Sequence, residues 1–492
     1  MRSAQLTREC RGSDTEASRC DLVTLYQGGR YQLYRYHRFT DVRLVWAPEA
    51  AVADFGGDPD NFNFPRWDLD AAFLRAYENG QPAKVNDWFR FQPAGAQPGE
   101  LTFVVGHPGR TERLLTVAQL EERRRDLGER IVPAIAEARG MLLQYAKSGA
   151  EPARLAGNAI AGVENFLKVT RGQLLALNEP LLLQQKRAEE RALRAFVASR
   201  PDLQDVAGAW DEFARAELVN RDIGELYDLL EDGRAFGGRY FRLARTLVRG
   251  AVERPKPDAE RLPEFADAAL PQRELALRSR APDYPAYEQV LLSASLTRMR
   301  SVLGQDHPLV AQVVERDAPD AVAQRLVAGT RLGDPAERLR LWQGGQQAIE
   351  QSDDSFIRLA LALEPMARAL RARFDGQVRG VERNNAERIA RARFAMTGTS
   401  VYPDASFSLR LSYGAVVGWN EKGSAVPPFT DFAGAFARHT GSEPFALPPS
   451  WLRAKDRLDS RQRFDFVTDN EIIGGNSGSP MINRKGEIVG LA

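Results

Sequence analysis

The sequence predicts an α+β protein in which a helical block interrupts two β-rich parts, and three patterns support this fold class. Short apolar runs separated by turn residues fill residues 1–115 and return over residues 396–492, as is typical of strands. Between them, over residues 116–395, apolar residues recur every three, four or seven positions among Glu and Arg, which is the period of amphipathic helices. We therefore predict three parts with these boundaries, the middle one being an inserted helical domain.

The β-rich parts are predicted from runs of aliphatic and aromatic residues. Gly28 and Gly29 are expected to close a hairpin, because glycine tolerates tight turns. The predicted strands of the first part are Leu22–Tyr26, Tyr31–Tyr36, Val42–Trp46 and Leu101–Val105. Those of the last part are Phe407–Tyr413, Val416–Trp419, Phe464–Val467, Met481–Ile482 and Ile488–Leu491.

The helical block is rich in Ala, Arg, Glu and Leu. Pro133 is expected to kink or end its first helix, because proline lacks the N–H that an inner helical turn needs. The proline-rich stretch Pro255–Pro285 is expected to form an extended crossing. The clearest helical segments are Gln184–Val197, Glu212–Leu230, Asp320–Leu341 and Ile357–Phe374.

Composition and charge narrow the classes of function. Hydrophobic residues make up 43% and charged residues 27%, as in globular proteins, and a net charge of +1 offers no basic surface for nucleic acid. No run of 18 apolar residues predicts a membrane span, and residues 1–21 are too polar for a signal peptide. No cluster of His, Cys and carboxylates has the spacing of metal ligands, so we expect neither a metal nor a cofactor.

Cys10 and Cys20 are the only cysteines and lie in a stretch with the composition of a loop. A small disulfide loop would suit an oxidising compartment, whereas two unpaired thiols are the alternative. We favour the disulfide.

The run Gly474–Pro480, Gly-Gly-Asn-Ser-Gly-Ser-Pro, has the pattern of a serine nucleophile of the chymotrypsin type. Small residues on both sides of Ser477 let the backbone pass close under a reacting carbonyl. The N–H groups of Gly475 and Ser477 can then point at the developing oxyanion. An ordinary glycine-rich hairpin is the alternative, but the strands predicted on both sides favour the nucleophile.

A serine nucleophile also needs a histidine base and a carboxylate that orients it. The chain has four histidines. His37 is expected on the solvated face of a strand, and His107 in a turn at a strand end. His307 precedes a proline among helical segments, and His439 lies in a polar loop. None has the setting of a triad base after a buried strand. The sequence therefore predicts a nucleophile whose base is absent from this chain.

Several runs, in one order and over nearly the whole chain, resemble the bacterial dipeptidyl-peptidase 7 and 11 family. They are Asp41–Val45, Phe55–Asn61, Pro65-Arg66 with Asp70, Gly106–Thr111, Tyr402–Ala405 with Leu409–Gly414, and the Ser477 motif. The resemblance implies a serine exopeptidase with a chymotrypsin-like double β-barrel and a large helical insertion. In that family the triad histidine lies upstream of the segment that matches Asp41–Val45, and the chain continues past the segment that matches Ala492. We therefore expect an incomplete barrel, a chain truncated at both ends, and no activity from this chain as it stands.

The resemblance also implies roles for individual residues. Asp70 matches the triad aspartate, although Asp68 is nearly as good a candidate from the residues alone. Asn61 and Phe62 match a pair that holds the free α-ammonium of the substrate, with Phe62 replacing a tryptophan and losing its indole N–H donor. Asn165 resembles an asparagine that a helix of the insertion lends to the same pocket.

The function implied is release of dipeptides from the free N-termini of oligopeptides, through an acyl-enzyme on Ser477. The resemblance further implies a homodimer located in the periplasm or at the cell surface. Two alternatives stay open: a chymotrypsin-like endopeptidase, and a non-catalytic descendant that binds peptides. In the family, positions in a segment beyond the one that matches Ala492 select the penultimate substrate residue. The resemblance therefore implies no side-chain preference from residues 1–492.

Overall fold

The computed structural model describes residues 2–12 and 17–492, with residues 2–4 as main chain only. Residue 1 and residues 13–16, which fall within the first predicted part, lie outside the described residues. The chain divides into a helical unit, which contains the residues up to Glu9 and Leu115–Val401, and a β unit, which contains Cys10–Leu114 and Tyr402–Ala492. The mixture of helices and strands agrees with the α+β class at this coarse level.

The β unit is built from short strands joined by turns and four short helices. Its strands, numbered in chain order, are β1 (Ser18–Leu25), β2 (Arg30–His37), β3 (Asp41–Trp46), β4 (Phe73–Glu78), β5 (Gln81–Pro82), β6 (Arg90–Phe91), β7 (Leu101–Gly106), β8 (Arg410–Ala415), β9 (Trp419–Glu421), β10 (Ser424–Val426), β11 (Phe429–Asp431), β12 (Arg463–Phe466), β13 (Pro480–Ile482) and β14 (Glu487–Leu491). Its helices are α2 (Ala50–Ala53), α3 (Gly57–Asp60), α17 (Phe432–Arg438) and α18 (Pro449–Ala454).

One five-stranded sheet, in the order β6-β14-β13-β7-β8, organises the β unit. Strands β13 and β7 are antiparallel with Met481 opposite Val104, so the start of β13 lies beside the end of β7. The remaining strands form the sheet β3-β4-β5 and the pairs β1-β2, β9-β10 and β11-β12. Over residues 17–492 none of these sheets closes on itself, so the structure does not show the expected double β-barrel.

The helical unit consists of α-helices joined by short turns. Its helices are α4 (Val117–Asp126), α5 (Val132–Ala146), α6 (Ala150–Asn178), α7 (Pro180–Ala198), α8 (Ala209–Leu226), α9 (Tyr240–Glu253), α10 (Leu270–Arg278), α11 (Pro285–Leu303), α12 (Pro308–Val313), α13 (Pro319–Ala328), α14 (Pro335–Glu350), α15 (Ser355–Phe374) and α16 (Gly380–Thr397), while α1 (Arg2–Arg11) runs from this unit into the β unit. None of the helices in the described ranges combines the length and apolar character that a membrane crossing requires.

The core of the helical unit combines apolar packing with buried ion pairs. Aromatic and aliphatic side chains such as Phe236, Phe241 and Leu296 are at most 1% exposed. Arg249, only 4% exposed, donates to both carboxylate oxygens of Glu231 at 2.8 and 2.6 Å. Because a buried charge is costly unless it is paired, this contact fixes the register of the elements that carry the two side chains.

Three helices of this unit run directly into π turns, which the sequence pattern did not predict. The π turns span Leu127–Ile131, Tyr227–Glu231 and Asp375–Arg379. The first joins α4 to α5 just before Pro133, so the chain continues as a helix where a kink or an end was expected. Pro133 is the second residue of α5, and in the first turn of a helix the absent N–H is tolerated.

Two further helical predictions were wrong in detail. The segment Asp320–Leu341 is split between α13 and α14, because Asp334 caps α14 by accepting from the Ala336 amide at 2.8 Å and Pro335 begins the new helix. The stretch Pro255–Pro285 contains α10 and two short 3₁₀ turns, so it is not simply an extended crossing.

The N-terminal region corrects one expectation and confirms two. Cys10 lies in α1 and Cys20 in β1, so the stretch between them is not all loop. The two residues form a disulfide, as favoured from the sequence. The hairpin expected at Gly28 and Gly29 is also present, with β1 and β2 paired from Ser18 opposite His37 to Leu25 opposite Arg30.

Candidate active site

Ser477 lies in a tight loop that leads directly into β13, and its side chain is exposed. Main-chain hydrogen bonds hold this loop: the Gly478 amide donates to Ala492 O at 2.7 Å and the Ser479 amide donates to Asn476 O at 2.7 Å. Asn476 is only 4% exposed, and its side-chain amide donates to Ile473 O at 3.1 Å. The loop is therefore ordered by backbone and buried contacts while its serine hydroxyl faces outward.

Two amides on either side of Asn476 have no acceptor in the part of the chain that the structure describes. They belong to Gly475 and Ser477, which are the residues predicted to form the oxyanion hole. Gly475 has a φ of +106°, a conformation that favours glycine. Two N–H groups without acceptors, next to an exposed hydroxyl, are the arrangement that a developing oxyanion requires.

Residues before the loop anchor it to the five-stranded sheet. Thr102, which is 0% exposed in β7, donates from its hydroxyl to Asn470 Oδ1 at 2.9 Å. The Asn470 side-chain amide donates in turn to Ser412 O of β8 at 3.2 Å. The adjacent Asp469 carboxylate accepts from the Ala415 amide at 2.5 Å. These contacts tie the approach to the nucleophile to two strands that are distant in sequence.

A cavity of about 530 Å³ lies beside the nucleophile loop and includes Ile473 and Asn476 in its lining. Arg113 and Tyr402 also line it, and both contact Glu471: Arg113 through an ion pair and the Tyr402 hydroxyl through a hydrogen bond of 3.2 Å. The cavity thus combines apolar walls with a paired charge, and Asn476, the residue before the predicted nucleophile, lines it.

Asn61 and Phe62, the pair predicted to hold a substrate ammonium, follow the short helix α3. Phe62 is 66% exposed and has a φ of +64°, which is unusual for a residue with a side chain. Before α3, Gly56 has a φ of +88° and its position has no room for a Cβ beside Asp60. The segment after α3 therefore presents the phenyl ring of Phe62 to solvent.

Two arginines hold this turn in place. Arg438 pairs with both carboxylate oxygens of Asp60, which is 4% exposed, and its Nε donates to Asp60 Oδ2 at 2.6 Å. Arg66 donates to Asn61 Oδ1 at 3.2 Å and forms an ion pair of 2.7 Å with Asp68. The Asn61 side chain is thus oriented by a cation, with its carbonyl oxygen turned toward Arg66.

Phe62 and Arg66 line a second cavity, of about 690 Å³. Asp465 lies in the wall of this cavity, and its Oδ2 accepts from the Asp68 amide at 3.1 Å. Burial, together with the nearby Asp68 carboxylate, raises the pKa of Asp465 to about 7. Burial also raises the pKa of Asp68, although Arg66 opposes this effect. Asp68 is therefore engaged with Arg66 and Asp465.

Asp70 is exposed and immediately precedes the segment that enters β4. Among the described residues, neither the Asp70 carboxylate nor the Ser477 hydroxyl hydrogen-bonds to a histidine ring. The assignment of Asp70 as the triad carboxylate therefore stays a prediction.

The four histidines have other contacts. The ring of His37 lies 2.7 Å from a Glu78 oxygen, and Nδ1 of His307 and of His439 accepts from the Leu309 amide at 3.2 Å and the Leu447 amide at 2.9 Å. The ring of His107 lies 6.3 Å from that of Phe407, measured between centroids.

The family model of peptidase S46 matches residues 1–492. The chain belongs to the peptidase S46 family. The S46 chain is 28% identical to an Asp/Glu-specific dipeptidyl-peptidase of Shewanella putrefaciens, covering 99% of this chain and 72% of that protein. It is 27% identical to a dipeptidyl-peptidase 7 of Porphyromonas endodontalis, covering 96% of this chain and 60% of that protein.

Solved structures show the same fold. The S46 chain superposes on Porphyromonas endodontalis DPP11 in complex with the dipeptide Arg-Glu with a TM-score of 0.75, at 19% identity, over 99% of this chain and 73% of that one. The corresponding complex with Arg-Asp gives a TM-score of 0.74 at 20% identity. At these identities the likeness establishes the fold of the S46 chain.

Asn165 lies on α6 of the helical unit and is exposed. Its contribution to a substrate pocket in the S46 chain stays a prediction. Within the described residues, no group of three or more His, Cys, Asp or Glu side chains is arranged to hold a metal ion.

Sequence reasoning missed the residues that support the site of the S46 chain. Arg438 pairs with Asp60 across 378 positions and Asp465 accepts from Asp68 across 397, and nothing local in the sequence signals either contact. The pattern around Gly106–Gly109 did carry a signal, because two glycines that flank a strand end indicate a close approach of two backbones.

Proposed function

We propose that the full-length gene product is a serine dipeptidyl-peptidase that releases dipeptides from unblocked N-termini through an acyl-enzyme on Ser477. The observation that carries this proposal is the exposed Ser477 hydroxyl next to two amides, of Gly475 and Ser477, that have no acceptor among the described residues. The names of the relatives, dipeptidyl-peptidase 7 and Asp/Glu-specific dipeptidyl-peptidase, support an exopeptidase over the two alternatives.

In the proposed reaction Ser477 Oγ attacks the carbonyl carbon of the second substrate residue. The hydroxyl proton passes to a histidine base, which Asp70 orients, and then to the leaving amine as the C–N bond breaks. The negative charge on the carbonyl oxygen is received by the N–H groups of Gly475 and Ser477. Water then attacks the acyl ester, which releases the dipeptide and restores the serine hydroxyl.

The free N-terminus of the substrate is proposed to bind near Asn61 and Phe62. An aromatic face attracts an ammonium group, and Phe62 is exposed enough to offer one. Arg66 already occupies the Asn61 carbonyl oxygen in this structure, so a bound ammonium would compete for that oxygen or displace the guanidinium. We propose Asn165 as a further polar contact from the insertion.

The chain spans 72% and 60% of the lengths of the two relatives above, and the activity is proposed for the whole protein. That protein should cleave dipeptidyl chromogenic amides with a free N-terminus and should not cleave the same compounds after N-acetylation. A Ser477→Ala variant should lose at least about 10³-fold in kcat. A Ser460→Ala variant is the control, since this exposed serine lies in the same unit on a separate turn.

Equal cleavage of acetylated and free substrates would identify an endopeptidase instead. Unchanged activity of Ser477→Ala would refute the nucleophile. Asn61→Ala and Phe62→Ala should raise KM for free substrates by about fivefold while leaving the folded state intact, because an exposed contact to an ammonium is worth about 1 kcal/mol.

We also propose the wider setting that the resemblance implies. The β unit would belong to a chymotrypsin-like double β-barrel, and the protein would act as a homodimer in the periplasm or at the cell surface. The disulfide between Cys10 and Cys20 supports an oxidising compartment. Cell fractionation would test the location, and light scattering on the purified protein would test the dimer; a cytoplasmic monomer would contradict both.

A further inference from the structure

A four-residue turn, Gly106-His107-Pro108-Gly109, lies against the nucleophile loop. The turn begins at Gly106, the last residue of β7, the loop precedes β13, and these strands are antiparallel neighbours. The Gly109 amide donates a hydrogen bond of 2.7 Å to Gly474 O. The two segments therefore share one main-chain contact at the position just before the predicted oxyanion hole.

This contact fixes the direction of the Gly475 amide. The only cis peptide bonds in the described residues precede Pro65 and Pro444, so the peptide between Gly474 and Gly475 is trans. In a trans peptide the C=O and the following N–H point in opposite directions. With Gly474 O held toward the turn, the Gly475 N–H must point away from it, where it has no acceptor among the described residues.

Close packing shows that the turn and the loop are fitted to each other. A Cβ on Gly475 would lie 2.6 Å from His107 O and 2.7 Å from the Gly109 nitrogen. A Cβ on Gly109 would lie 2.5 Å from Gly474 O. A Cβ on Gly106 would collide with the side chains of Asn476 and Ser479. Glycine is thus required at three points of one interface between the two segments.

We propose that the Gly106–Gly109 turn is the positioning element of the oxyanion hole, with the Gly109 amide holding the Gly474 carbonyl so that the Gly475 amide faces the substrate. This inference rests on the proposed function of Ser477 and adds to it a residue that touches neither substrate nor nucleophile.

The test uses the full-length gene product and a Gly109→Ala variant. The added methyl group pushes against Gly474 O and turns the peptide that carries the Gly475 amide. Loss of one oxyanion donor lowers kcat by about 10²-fold to 10³-fold, so we expect kcat to fall by at least about 10²-fold while KM changes less than about threefold. The affinity for a dipeptide boronic acid, which forms a tetrahedral adduct on Ser477, should fall with kcat/KM, while the affinity for the product dipeptide stays unchanged.

The control is Gly140→Ala in α5, where an added Cβ meets nothing within 4 Å. This variant should keep the wild-type kcat and boronate affinity. If Gly109→Ala folds and keeps its kcat, or if it loses boronate and product affinity equally, the inference is wrong. If Ser477→Ala is as active as the wild type, the proposed function fails instead, so the two failures are distinguishable.

A measurement on the wild-type protein covers the case in which Gly109→Ala does not fold. Hydrogen exchange on protein labelled with ¹⁵N-glycine should show the Gly109 amide protected and the Gly475 amide unprotected. Addition of the boronic acid should protect Gly475 and leave Gly109 unchanged. Fast exchange at Gly109 without ligand, or protection of Gly475 before the ligand is added, would overturn the inference.

Discussion

Glu217 on α8 offers a quantitative test of the electrostatics of the helical unit. The side chain is 8% exposed, and burial together with the neighbouring Glu382 raises its pKa to about 8 from an ordinary value of 4.5. Glu382 also shares a hydrogen bond with Glu217, which two ionised carboxylates cannot do, and Glu122 adds further negative charge. The Asn220 side-chain amide, which donates to Glu217 at 3.4 Å, opposes the increase without cancelling it. The folded unit therefore keeps this carboxyl protonated at neutral pH.

The raised pKa makes the helical unit less stable as the pH rises. Below pH 4.5 the folded and unfolded chains both hold the proton, so the free energy of unfolding takes its full value. Between pH 4.5 and about 8 only the folded chain holds the proton, and the free energy of unfolding falls by about 1.4 kcal/mol per pH unit. Across the whole interval the loss from Glu217 is about 4–5 kcal/mol.

A Glu217→Gln variant should remove this dependence, because the amide keeps the shape and cannot ionise. Relative to wild type, the variant should gain about 3–4 kcal/mol in its free energy of unfolding between pH 5 and pH 8.5. Urea denaturation followed by far-UV circular dichroism at a series of pH values measures this difference. Glu189→Gln is the control, since the Glu189 side chain is 65% exposed and pairs with Lys186. Wild-type and variant curves separated by a constant amount from pH 5 to pH 9 would refute the reasoning.

Three further predictions concern stability. Arg438→Met should lower the free energy of unfolding of the β unit by about 2–3 kcal/mol in urea denaturation, because Asp60 is left buried and unpaired. Arg438 itself is 39% exposed. A change below about 0.5 kcal/mol would contradict this prediction. Reduction of the Cys10–Cys20 disulfide, or its replacement by two serines, should lower the free energy of unfolding by about 2–3 kcal/mol for a loop of this length. Identical urea midpoints with and without reductant would contradict this prediction. Gly140→Ala should raise the thermal midpoint, with a gain of about 0.5–1 kcal/mol from helix propensity; a lower midpoint would contradict this.

Local features of the site could be predicted from the sequence because short patterns determine them. The loop around Ser477 needs small residues at fixed spacing, and the amides of Gly475 and Ser477 have no acceptor among the described residues. Their role as an oxyanion hole stays a prediction. The hairpin at Gly28 and Gly29 was predicted for the same reason. In each case the turn needs backbone angles that glycine tolerates best, so glycines in the sequence indicate the turn.

Contacts between distant segments could not be predicted in this way. Arg438 approaches Asp60 only because α17 and α3 fold together, and a single charged residue gives no sign of its partner. The π turn before Pro133 was also missed, since the same apolar spacing suits an α-helix and a slightly wider turn. The pairing of Asp70 with a histidine and Ser477 stays a prediction for the same reason: it depends on tertiary placement.

The π turn at Tyr227–Glu231 contains one residue more than an α-helical turn and ends at Glu231, which pairs with Arg249. Deleting one residue here would restore ordinary α-helical spacing and rotate α8 against the chain after the turn by about 100°. Glu231 would then turn away from the buried Arg249, which would lose its bidentate partner and keep its contact to Glu364. Insertions and deletions should consequently be tolerated on the outer loops of the helical unit and rejected at this point, a pattern that a deletion scan could map directly.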